Sequence, residues 1–69
     1  MKAVSNIEFR ENEIKFLLNQ IEKINKLINL YKSHDDNFSV SEYTRHRQDF
    51  INQLNIQLHA YKLQISEAA

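Results

Sequence analysis

The chain has 69 residues with no Cys, no Gly and no Pro, and its nine basic and nine acidic side chains cancel to a formal net charge of zero. Lack of Cys excludes a disulfide staple and a thiolate metal site, and the neutral balance argues against a generic phosphate-binding surface. Loops, tight turns and strand connections ordinarily draw on Gly and Pro, so a chain without either is read as all-α, built from long uninterrupted helices.

The first predicted element runs from about residue 3 to 32. Ile7, Ile14, Ile21 and Ile28 recur every seven residues, and Leu17, Ile24 and Tyr31 hold the partner position of the heptad, which is the pattern of a coiled-coil seam. Ala3 and Arg10 fill the earlier partner positions, so Arg10 is the one charged residue in this seam. Glu11 with Lys15, and Glu22 with Lys26, stand in the favoured order for helix-surface ion pairs.

Residues 33–38 are the predicted loop. Lys32 and His34 complement the negative end of the first helix dipole, and Asp35 and Asp36 the positive end of the second. Without Gly, His34 or Asn37 is the expected residue to leave helical geometry. Ser39 followed by Glu42 reads as a capping box, flanked by a hydrophobic staple of Phe38 and Tyr43, and sets the second helix at about 39–66.

In that helix the apolar residues are spaced by three and four through Val40, Tyr43, Phe50, Ile51, Leu54, Leu58, Tyr61 and Ile65, with Arg47 among them. Each rod is about 40 Å long, and so short a loop forces the two to lie antiparallel. Folding about the loop brings Ile28 to Tyr43, Ile21 to Phe50, Leu17 to Leu54 and Ile14 to Leu58. It also brings Arg10 to Tyr61, where a guanidinium over an aromatic face would be tolerable at the open end. The predicted fold is one domain over residues 1–69: an antiparallel two-helix hairpin of coiled-coil type.

Six basic and four acidic groups precede residue 33, against three and five after it, which favours the halves lying side by side. A core this small ordinarily needs a staple. Phe9, Phe16, Leu27 and Leu30 lie outside the first seam, and Ile56, Ala60 and Leu63 outside the second. Two phenylalanines and two aliphatics thereby gather at the end away from the loop. Surplus apolar surface marks an interface, so these seven residues are the predicted partner-binding set. The hairpin is expected to complete a four-helix bundle by dimerisation or by binding a helical partner.

No catalytic, cofactor or metal site is expected. His34, Asp35 and Asp36 are ligand types, but adjacent loop residues do not converge on one ion, and His46 and His59 are thirteen positions apart. A two-helix rod offers no concave site for an enzyme. No apolar window approaches the length of a membrane span, and the expected location is cytoplasmic. In size, helix count and apolar striping the chain resembles plasmid RNA-regulating hairpins, which dimerise into four-helix bundles, and the hairpin co-chaperones of secretion needle subunits. No motif of either matches residue by residue. The leading expectation is a protein–protein interaction module of adaptor, oligomerisation or chaperone-like type. The alternative is an RNA-binding dimeric bundle using Arg45, His46 and Arg47 beside Tyr43.

Overall fold

The computed structural model describes the backbone of residues 2–68 and the side chains of residues 6–67. Helix α1 spans Lys2–Ser33 and helix α2 spans Asn37–Ala68, and they pack against each other as a hairpin of 51 × 14 × 13 Å. The connection is three residues, shorter than the expected 33–38, and it is shorter because two capping devices overlap in it.

Asp35 takes the left-handed conformation with φ 56°. Its amide donates to the Lys32 carbonyl at 3.2 Å, and the Asp36 amide donates to the Tyr31 carbonyl at 3.0 Å. These are the two bonds of a Schellman motif, which satisfies the orphan carbonyls of a helix end. His34 and Asn37 were the expected residues for this bend. Asp35 serves instead, because a short carboxylate side chain tolerates the left-handed region better than most and no Gly is available.

Asp36 then caps α2. Its Oδ1 accepts from the Ser39 amide at 3.1 Å, its Oδ2 from the Ser39 hydroxyl at 2.7 Å, and its carbonyl receives the Val40 amide at 3.0 Å. The expected Ser39–Glu42 capping box is therefore corrected: Ser39 lies inside the helix, and Glu42 pairs with Arg45 at 2.6 Å. The expected staple is absent too, since Phe38 is 76% exposed and Tyr43 stacks on Tyr31, with ring centroids 5.5 Å apart and planes within 9°.

Among the described residues only Leu17, Ile24 and Ile28 are buried. Ile7, Ile14, Ile21 and Tyr31 on α1, and Val40, Tyr43, Phe50, Leu54 and Tyr61 on α2, are half-buried along the same seam. Ala3, placed in the seam by the heptad, has its side chain outside the described residues. Leu58 and Ile65 depart from expectation: they are 43% and 44% exposed, and Gln57 and Gln64 hold the half-buried positions one residue before them. The reason lies across the seam. Arg10 needs acceptors, and its Nε donates to Gln64 Oε1 at 3.0 Å while its Nη1 donates to Gln57 Oε1. Arg10, expected beside Tyr61, is thus held by two amide oxygens. The Tyr61 hydroxyl instead donates to Glu11 Oε2 at 2.6 Å.

Candidate interaction surface

Cross-helix contacts fix both the register and the handedness of the hairpin. Glu11 sits level with Tyr61, Arg10 lies between Gln57 and Gln64, and Tyr31 faces Tyr43. Arg10 and Tyr31 mark one edge of the seam on α1, as Tyr43, Gln57 and Gln64 do on α2. Glu11 lies round the other edge.

Moving outward past the first edge at 3.6 residues per turn, α1 presents the half-buried row Glu13, Gln20 and Leu27 and then a stripe at seven-residue spacing: Phe9, Phe16, Lys23 and Leu30. Past the matching edge α2 presents the row His46, Gln53, Ala60 and Glu67 and then Glu42, Asp49, Ile56 and Leu63. Both stripes belong to one broad face of the rod, and all seven expected interface residues lie on it. Five of them are large and open to solvent, four of these at the open end: Phe9 is 65% exposed, Phe16 54%, Ile56 67% and Leu63 52%. Leu30 is also exposed, whereas Leu27 and Ala60 are half-buried at the edge.

The stripes also match level by level. With the register set by Glu11 and Tyr61, Phe9 stands beside Leu63, Phe16 beside Ile56, Lys23 beside Asp49 and Leu30 beside Glu42. Apart from Leu27 and Leu30, the apolar part of the face is therefore at the open end of the hairpin, and Lys23 of one stripe shares a level with an acidic member of the other.

A second apolar strip lies on the opposite face, formed by Leu18 on α1 and Leu58 and Ile65 on α2, all exposed. Sequence reasoning missed Leu18 and assigned the other two to the seam. The signal that could have found them is the seven-residue series Tyr43, Phe50, Gln57, Gln64, whose glutamines come level with the one charged residue in the facing seam.

The expected basic cluster does not form a surface. Arg45 points outward into its ion pair with Glu42, while Arg47 is half-buried in the seam, its Nε buried with no hydrogen-bond acceptor. Arg47 makes no ion pair among the described residues. Of the two expected helix-surface pairs, Lys26 meets Glu22 at 3.6 Å, but Glu11 is turned to Tyr61 and makes no pair with Lys15. Neither Lys23 nor Asp49 belongs to an ion pair among the described residues.

Two groups have shifted ionisation. The Ser39 amide, and after it the Ser39 hydroxyl, hold the Asp36 carboxyl below the ordinary value of 3.8, with His34 adding a smaller pull in the same direction. The hydrogen bond to Glu11 raises the Tyr61 phenol above 10.0, because the neutral form is the one that donates. Both shifts arise from contacts that position the helices. His34, Asp35 and Asp36 likewise serve the turn, and no three His, Asp or Glu side chains converge as a metal site among the described residues.

The accessible surface is 5441 Å². A compact monomer of this mass is expected to expose about 4,600 Å², so the hairpin carries an excess close to the ~800 Å² that each partner buries in a standard protein interface. No described helix is long and apolar enough to cross a membrane. Comparisons with protein-family models, with curated proteins and with solved structures give no match.

Proposed function

We propose that this chain is a cytoplasmic, non-enzymatic protein–protein interaction module whose hairpin completes a four-helix bundle with a second helical chain. An adaptor, oligomerisation or chaperone-like role follows from that way of binding. The observation that carries the reading is the joint placement of Phe9, Phe16, Ile56 and Leu63 on one solvent-facing side of the open end. Exposed aromatic and aliphatic side chains gathered on one face mark a binding surface, and the surface excess is the size such an interface needs. Dispersal of Arg45 and Arg47 to different sides of α2 gives the RNA-binding alternative no comparable support.

Phe16→Glu tests the proposal. A carboxylate placed in that patch is desolvated without a partner on association, which costs several kcal/mol. Analytical ultracentrifugation should show the wild type associating in the micromolar range, Phe16→Glu shifted to monomer, and Lys15→Glu, its neighbour on the polar side, unaffected. A folded wild-type monomer at high micromolar concentration overturns self-pairing.

A further inference from the structure

We infer that the chain covering this face is a second copy of the hairpin, docked with its loop at the same end, so that Lys23 of each copy meets Asp49 of the other. The inference rests on the pairing proposed above and adds the identity and direction of the partner.

A two-fold axis lying in the interface can run along the rod or across it. With the axis along the rod, α1 of one copy lies over α2 of the other at an unchanged level. Phe9 then meets Leu63, Phe16 meets Ile56 and Lys23 meets Asp49, each contact occurring twice. At the first two levels the stripes' apolar groups face apolar groups, and Lys23, the basic residue among the stripe's described side chains, faces an opposite charge that has no ion pair among the described residues. At the fourth level Leu30 meets Glu42, whose carboxylate is already drawn aside by Arg45 at 2.6 Å. Every neighbouring pair of helices in this bundle is antiparallel, which also suits their dipoles.

With the axis across the rod, α1 lies over an inverted α1 and α2 over an inverted α2. At full overlap Phe16 meets Lys23, Ile56 meets Asp49 and Leu63 meets Glu42, so each apolar group of the open end except Phe9 is set against a charged side chain. Sliding the copies until only their open ends overlap removes that conflict, but it leaves roughly half of each face uncovered and so buries less than a standard interface. Charge and area therefore select the same arrangement.

The test exchanges the charges between two chains. Lys23 and Asp49 are both exposed, so Lys23→Asp and Asp49→Lys leave the hairpin's own packing intact. Each variant alone sets two like-charge pairs across its dimer and should associate at least about tenfold more weakly than wild type. Mixed, the two variants restore both interchain pairs while each hairpin keeps its internal mismatch, so native mass spectrometry should find the heterodimer well above its random share. Lys26→Asp mixed with Glu8→Lys carries the same change in net charge on other sides of α1 and should mix far closer to randomly. A second readout is independent of charge. The chain has no Cys, so a dye on Phe38→Cys reports loop-to-loop distance by energy transfer: efficient with loops together, weak with loops at opposite ends of 51 Å rods. Random mixing of the charge variants, or weak transfer, from a wild type that does dimerise overturns this arrangement alone. A monomeric wild type overturns the pairing itself.

Discussion

Asp35 and Asp36 are neighbours with opposite tasks, one ending a helix and the other starting the next. Asp35 holds φ 56° without being Gly, a conformation that costs an L-residue of ordinary shape about 1 kcal/mol or more. Asp35→Gly should therefore raise stability by about 0.5 to 1 kcal/mol, the steric gain being partly offset by the freer unfolded chain. A rise in the urea midpoint at constant slope checks this, and a fall would mean that the carboxylate contributes more than the strain costs. Asp36 acts through its charge. Its folded pKa lies below 3.8, so its stabilisation is complete above that value and is lost as pH falls through the lower folded value. Asp36→Asn retains an acceptor for the Ser39 amide but does not titrate there. The stability difference between wild type and Asp36→Asn should hence narrow as pH drops below 3.8, and parallel acid limbs would remove Asp36 from the account.

At the scale of the helices, the energetic question is which α2 positions face α1. Leu17 is buried and Leu58 is 43% exposed. Leu17→Ala should cost about 2 to 5 kcal/mol by leaving a cavity, whereas Leu58→Ala should cost less than about 1 kcal/mol. Equal losses in denaturant titrations would place Leu58 in the seam after all. The seam of α1 and the antiparallel direction were legible because four isoleucines repeat every seven residues and a short loop admits one direction of return. The far half of α2 was not, because hydropathy favours Leu58 and Ile65 while the facing Arg10 selects Gln57 and Gln64, a choice that depends on a residue some fifty positions away. The cap was misplaced for a local reason. Ser39 and Glu42 match the capping pattern, but Asp36 precedes them with a stronger acceptor and already lies where α1 has ended. The exposed apolar stripe was legible as residues, whereas its level-by-level match required the observed register.

For the whole molecule, folding and association are expected to be one process. The rod is 51 Å long and only 14 × 13 Å in section, and just three described side chains are buried in it. Chains of this size bury a small fraction of their surface when folded alone, and here no disulfide can compensate. A second copy covering the Phe9 and Phe16 face binds the folded hairpin and not the unfolded chain, so mass action ties stability to protein concentration. Each tenfold increase in concentration contributes about 1.4 kcal/mol per dimer, and Tm should climb steadily over a dilution series followed by circular dichroism. Phe16→Glu should lower Tm and flatten that dependence, because its hairpin must stand on the Leu17, Ile24 and Ile28 core alone. The strip of Leu18, Leu58 and Ile65 faces outward on both sides of the proposed dimer, so Leu18→Ser should leave the slope of Tm against concentration unchanged. A wild-type Tm that does not move across two decades of concentration would show that the hairpin is self-sufficient and that its apolar face is not covered by a second copy.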